Sequence, residues 1–190
     1  MEECEMPIAP EERREVDIPS DVKATYKANL LTVTGPKGSL QRSFSHPRLT
    51  IRLSKDKITV SSPMPKKKEG ALVGTWGAHI KNMVEGVTKG FKYEMKVVYS
   101  HFPIKTAVKG KDFVIENFLG ERHPRLARIL GDTKVTVSGD TVTLTGIDLE
   151  QVSQSCANIE LATRIRNYDP RTFQDGIYTV GKGTMEEGGE

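Results

Sequence analysis

The chain has little cysteine, little aromatic content and no long apolar run. Of its 190 residues two are cysteines, Cys4 and Cys156. Neither has a CxxC partner, which argues against a disulfide framework or a cysteine zinc site and suits a reducing, cytoplasmic setting. No run of about 18 apolar residues occurs, so no membrane-spanning helix is expected. The first residues, MEECEMPIAPEERREVD, open with glutamates instead of a basic patch and an apolar stretch, so no secretory signal is expected either. His46, His79, His101 and His123 are scattered, with no HxxxH pair and no cysteine nearby, and no G-x-S-x-G elbow is present. These gaps leave no expected catalytic residue, metal site or cofactor.

What is present is an ordinary core-forming composition, 36% apolar and 28% charged, with a net charge of +3. The charge is unevenly spread. Residues 1–18 carry seven acids against Arg13 and Arg14, a balance of −5, and residues 184–190 carry three glutamates, a balance of −3, which leaves +11 on residues 19–183. A basic body between acidic ends fits either a polyanionic partner or a solvated basic surface, because net charge governs association and not fold.

Residues 1–15 are polar and aperiodic and read as an acidic, flexible tail. Beyond them, β-rich segments fall at 23–27, 30–34 and 40–44, with Gly35-Pro-Lys-Gly38 as a turn. Residues 49–53 and 58–62 form a further hairpin, with Ile51, Leu53, Ile58 and Val60 on one face. Pro63-Met-Pro follows and leads into Lys66, Lys67 and Lys68, a basic loop that proline keeps out of the sheet; it is either a solvated charge run or a phosphate clamp. From 71 to 89 the period changes to that of a helix, with Val73, Trp76, Ile80, Met83 or Val84, and Val87 on the buried stripe. Trp76 is expected in the core. Gly90 is placed to end the helix in the left-handed conformation. Gly74, Gly77 and Gly86 each weaken it by up to about 1 kcal/mol relative to alanine, which close approach to a sheet or to an RNA backbone would offset.

The second half repeats the first. Residues 104–110 and 113–118 align with 22–28 and 31–36 at an offset of 82, and 135–145 aligns with 51–61 at an offset of 84. Asp56 and Asp140 then occupy equivalent turns. A second helix opens at Asp148, with Gln151 three residues on as in a capping box, and buries Val152, Cys156, Ile159, Ala162 or Thr163, and Ile165. The expected fold is therefore α+β, two tandem related domains, each a small mostly antiparallel sheet packed with one main helix. The expected domains are 16–92 and 93–183, joined through residues 80–104, with an acidic tail at 184–190.

The halves differ in two places. The lysine loop has no counterpart before Asp148. Matching Gly176-Ile177 to Gly90-Phe91 gives the second half an extra segment, about 166–173, reading RNYDPRTF. Loops added to a shared scaffold are common carriers of function.

Three segments carry a resemblance: NMVEGVTKGFKYEMKVVYSHFPI at 82–104, NFLGE at 117–121 and RNYDPRTFQDGIY at 166–178. In order and spacing they resemble the large-ribosomal-subunit protein six family in its archaeal and eukaryotic form, across about residues 16–182. The bacterial form has a tyrosine-lysine and a lysine-glycine where this chain has Phe173-Gln174 and Asp175-Gly176. The resemblance implies a non-catalytic structural constituent of the large ribosomal subunit, in the cytoplasm, that binds large-subunit rRNA near the stalk base and the sarcin–ricin loop. Its implied neighbours are large-subunit proteins at the stalk base and the translational GTPases, with neither DNA nor membrane as a partner. The second domain is implied to make much of the contact, through Arg164, Arg166, Asn167, Tyr168, Arg171, Phe173, Gly176, Tyr178 and Lys182, with Lys66, Lys67 and Lys68 as further candidates.

The residue types at these positions suit RNA on their own terms. RNA presents phosphates, 2′-hydroxyls and stackable bases, so closely spaced cations interleaved with Tyr168, Phe173 and Tyr178 fit it, and Pro170 stiffens the segment. The aromatics read equally as core plugs. The other class of function, a β-rich enzyme or small-molecule binder with an incidental basic surface, lacks any constellation of acids, bases or metal ligands. Gly35-Pro-Lys-Gly38 formally matches a GxxG loop, but it joins strands where a KH loop joins helices.

Overall fold

The structure, a computed structural model, describes residues 11–54, 56–166, 168–169 and 171–185. The expectations placed on residues 1–10, Asn167, Pro170 and 186–190 lie outside the described residues. The chain divides into two compact units between Thr88 and Lys89.

The first unit contains β1 (Glu11–Asp17), β2 (Lys23–Lys27), β3 (Leu30–Gly35), β4 (Gly38–Ser43), β5 (Thr50–Leu53), β6 (Lys57–Pro63) and α1 (Lys67–Thr88). Strands β2, β3 and β4 form an antiparallel meander, and β1, β6 and β5 a second antiparallel sheet in that order. Ala28 and Asn29 both take positive φ, 49° and 62°, which is the type I′ geometry that matches the twist of a two-residue hairpin. α1 lays Val73, Trp76, Ile80, Met83, Val84 and Val87 against Leu31, Val33, Phe44, Ile51, Ile58 and Val60. Trp76 meets Phe44 edge-on at 5.1 Å. Leu53, at the end of β5, is exposed. The turn between β3 and β4 docks on the end of α1, where the Lys37 N–H donates to Val87 O at 3.0 Å.

Two expectations for this unit need correction. Residues 11–15 are not tail but strand: β1 pairs along its whole length with β6, Val16 opposite Ile58. Its side chains hide this, because six of its seven residues are charged and backbone pairing holds it instead. Lys57 Nζ supports it from the neighbouring strand, 3.2 Å from Glu15 Oε2 and 3.6 Å from Asp17 Oδ1. Lys67 and Lys68 are not loop but the first turn of α1. The helix starts early because Glu69 reaches back to accept the Lys66 N–H at 2.8 Å, the return half of a capping box, while pairing with Arg48 at 3.1 Å.

The second unit contains β7 (Phe91–Val98), β8 (Lys105–Lys109), β9 (Asp112–Glu116), a short 3₁₀ turn (Phe118–Gly120), β10 (Arg125–Arg128), β11 (Lys134–Ser138), β12 (Thr141–Gly146), α2 (Leu149–Ala162) and β13 (Gly176–Thr184). One sheet runs β10-β9-β8 and the other β11-β12-β7-β13, all antiparallel. Gly90, at φ 70°, ends α1 as expected, and β7 points Tyr93, Met95 and Val97 into the second unit's own core with Phe113, Ile115, Phe118, Val142, Leu144, Val152, Ile159 and Ile177.

The repeat is thus longer than the alignment of residues implied. β7 does for β12 what β1 does for β6: Val142 faces Met95 as Ile58 faces Val16. The Asp140 carbonyl accepts the Val97 N–H at 2.7 Å as the Asp56 carbonyl accepts the Ile18 N–H at 2.8 Å. Phe91 therefore begins a unit, whereas Ile177 belongs to an added strand that closes one. The chain after α1 leaves for the next unit in two residues; the chain after α2 must turn back to reach the free side of β7, and residues 163–175 make that return.

Candidate nucleic-acid interface

The return segment is tied down at both ends. Asp148 caps the start of α2, accepting the Glu150 N–H at 3.0 Å; Gln151 does not complete the expected box, because its Oε1 accepts from Asp132 N at 3.3 Å instead. At the other end of α2, buried Thr163 donates to the Glu160 carbonyl at 3.1 Å and accepts the Ile177 N–H at 3.2 Å, stapling helix to strand. Arg125, on β10, covers the carbonyls that the helix end leaves over, since its Nη1 donates to Ala162 O at 2.8 Å and to Arg164 O at 3.2 Å. A cation there also suits the negative end of the helix dipole. Glu121 holds Arg125 from below at 2.8 Å, and the hydrogen bond from Arg125 keeps the Glu121 carboxyl below its usual pKa range. The guanidinium lies 4.3 Å from the centre of the Phe118 ring.

Asp175 anchors the far end of the segment. It is 1% exposed and accepts from Ser100 N, from His101 N and, at 2.9 Å, from His101 Nδ1. Burial alone would raise its pKa, but the His101 ring and the two backbone donors outweigh that and hold it below the usual carboxylate value. His101 in turn stacks on Phe173 at 4.6 Å, and Phe173 on Tyr168 at 4.8 Å. The turn between them is set by Asp169, whose Oδ1 accepts the Arg171 N–H at 2.9 Å, an Asx turn.

The structure brings most of the expected residues together. Arg164, Arg166, Tyr168 and Arg171 are exposed on the segment. Phe173 is half-buried as the middle ring of a stack, and Tyr178 is 44% exposed, so neither is a core plug. Gly176 is buried beneath Tyr178: a Cβ there would come 3.0 Å from the phenol ring and oxygen, and the Tyr178 hydroxyl donates to Gln174 O at 3.3 Å. Lys182 stands apart, beyond a register shift between Thr179 and Gly181, opposite Tyr93, with Nζ 5.7 Å from that ring centre. Lys66, Lys67 and Lys68 are exposed in the first unit. There the lysine charges meet the positive end of the α1 dipole, a local conflict that a bound anion would relieve.

Sequence reasoning missed His101, Asp175 and Arg125. An acid immediately before a buried strand is a fair signal of an anchored loop, but which histidine it meets depends on the β7 crossover. Gly35-Pro-Lys-Gly38 is a hairpin turn as read. Among the described residues no group of three or more His, Cys, Asp or Glu could hold a metal ion, and no helix of the described residues is long and apolar enough to cross a membrane.

Comparison with known proteins agrees with this two-unit plan. The family model of ribosomal protein L6 matches residues 18–90 and again residues 102–176. A large ribosomal subunit protein uL6 from Methanobrevibacter smithii is 47% identical over 177 residues, spanning 93% of this chain and 99% of that protein. The proteins of the same name from Methanocella arvoryzae and Methanospirillum hungatei are 50% and 52% identical, over 92% and 89% of this chain and 99% and 96% of their own lengths. With both repeats matched and relatives this similar from end to end, the chain belongs to the ribosomal protein L6 family.

Proposed function

We propose that this protein is a non-catalytic structural constituent of the large ribosomal subunit and binds large-subunit rRNA, chiefly through its second unit. The observation that carries the reading is the 163–175 segment: Arg164, Arg166 and Arg171 stand exposed on a loop fixed at Thr163, Arg125 and Asp175. A segment anchored at both ends loses less entropy on contact than a free one, and each cation that meets a phosphate releases counterions. Tyr168, Phe173, Gly176 and Tyr178 are proposed to meet the RNA beside these arginines, with Lys182 as a separate contact on β13 and Asn167 carried over from the resemblance alone, and Lys66, Lys67 and Lys68 as phosphate contacts from the first unit. The finer reading places the protein in the cytoplasmic ribosome by the stalk base and the sarcin–ricin loop, among neighbouring large-subunit proteins and adjacent to the translational GTPases. Support for it is the resemblance at residues 82–104, 117–121 and 166–178.

Replacing Arg164, Arg166 and Arg171 together by alanine should weaken binding to isolated large-subunit rRNA by several kcal/mol, on the order of 1 per phosphate contact, and flatten its salt dependence. Unchanged affinity and salt slope would remove the segment from the interface. Sedimentation of extract at low salt tests the wider claim, which fails if the protein never enters the large-subunit peak. Base-by-base protection of the rRNA by the bound protein tests its position.

A further inference from the structure

Exposed cations account for phosphate contact, but they leave a cleft between the end of α2 and β13 without a role. Its volume is about 420 Å³, and Glu160, Leu161, Thr163, Arg164, Ile165, Phe173, Gln174 and Tyr178 line it. That volume lies in the range of about 300–1,000 Å³ typical of sites that enclose small organic groups. Two of its walls are aromatic and already oriented: Phe173 by the rings of His101 and Tyr168 on it, Tyr178 by Gly176 beneath it and by its hydrogen bond to Gln174 O. Leu161, 60% exposed, and Ile165 add apolar surface that no described residue covers fully. Thr163 has its hydroxyl fully engaged within the protein, whereas the Gln174 side-chain amide has no partner among the described residues.

The charges decide what fits. Glu160 lies inside the lining and would repel a phosphate, while Arg164, also in the lining, attracts one, and Arg166 and Arg171 are exposed on the same return segment. A group that is flat, uncharged and rich in N–H donors, attached to an anionic backbone, satisfies both. We propose that the cleft receives a single unstacked nucleobase of the large-subunit rRNA, its plane against Tyr178 and beside the edge of Phe173, its own edge toward Glu160 and Gln174, and its phosphates toward the arginines. Glu160 accepts hydrogen bonds, so an amino-bearing base is favoured over uracil. The proposal rests on the rRNA-binding reading and adds a base-specific site to it.

The test uses the full-length protein with protein-free large-subunit rRNA. Two variants close or strip the cleft: Leu161→Trp fills it from an exposed position, and Tyr178→Ala removes a wall, with Tyr178→Phe as the conservative control. Thermal melts confirm that each is folded. Chemical probing of Watson–Crick edges should find at least one base protected by the wild type and by Tyr178→Phe but reactive with Leu161→Trp and Tyr178→Ala. The last two should bind about ten-fold more weakly, the scale of one lost base stack, with hydroxyl-radical protection of the backbone and the salt slope retained. Identical base protection by all four proteins would overturn the proposal while leaving phosphate binding intact; an apolar side chain of a neighbouring protein as the true occupant gives that same result. No binding of rRNA by the wild type would overturn both readings.

Discussion

Asp175 is the buried carboxylate that anchors the far end of the return segment, because it ties Ser100 and His101 to the start of β13. Asp175→Ala should cost about 2 kcal/mol in a urea titration, the scale of hydrogen bonds lost from a buried charged acceptor. The pH dependence has a definite sign. Its folded pKa lies below that of an ordinary aspartate, about 3.9, so the stabilisation is present at neutral pH and is lost as pH falls below about 4 through the folded value. Wild-type stability should therefore drop more steeply than that of Asp175→Asn over that acid range; parallel curves would show that the carboxylate contributes nothing there. Cys156 is a second residue with a defined behaviour. It is 3% exposed, burial raises its thiol pKa, and its Sγ lies 3.1 Å from Thr179 Oγ1. A buried, protonated thiol is a poor nucleophile, so peptide-resolved alkylation at pH 8 should label Cys156 only as fast as the second unit opens. Rapid labelling in the native state would contradict the packing.

Within the elements, the glycines that sequence could not interpret divide by what a methyl group would meet. Gly74 has nothing within 4 Å of an added Cβ, and Gly77 has the Arg14 Cβ of strand β1 at 3.4 Å, an ordinary contact. Gly74→Ala should therefore stabilise the protein by up to about 1 kcal/mol through helix propensity alone, read as a rise in denaturation midpoint. Gly35 is the opposite case: a Cβ would come 2.8 Å from Val87 Cγ2 and 2.9 Å from Val87 O. Gly35→Ala should cost about 1–3 kcal/mol by forcing the β3–β4 turn off the helix, and a neutral result would mean that this contact is slack. The stripe of α1, the cap at Asp148 and the paired hairpins were legible because each follows a periodicity or a local hydrogen-bonding rule. β1 was not, since Glu11–Asp17 owes its place to the backbone of β6 and displays only Val16 as an apolar signal. β10 hid for a related reason: Arg125 and Arg128 flank it and Leu126 is 62% exposed.

For the molecule as a whole, two separate buried clusters predict two cooperative transitions. Ile80→Ala and Ile159→Ala, both fully buried, should each cost about 2–5 kcal/mol, but each should move a different calorimetric peak; a single peak shifted equally by both would mean that the units unfold as one. The duplication itself was readable from matching hairpins, and so was the placing of a basic, aromatic segment after the second helix. What could not be read was the swap in strand roles, because a strand's partner is a long-range fact: Phe91 meets Gly146 on one side and Thr184 on the other. That pairing has a consequence for the order in which the protein is made. The Met185 N–H donates to the Gly90 carbonyl at 3.2 Å, so the second sheet begins and ends at one point and stays unfinished until the residues through Met185 have been synthesised and released from the tunnel. The buried cluster of the first unit lies wholly before Lys89, so that unit can close far earlier. Until β13 arrives, β7 exposes a ready hydrogen-bonding edge, and the nascent chain carries that liability for almost the whole synthesis of its second half.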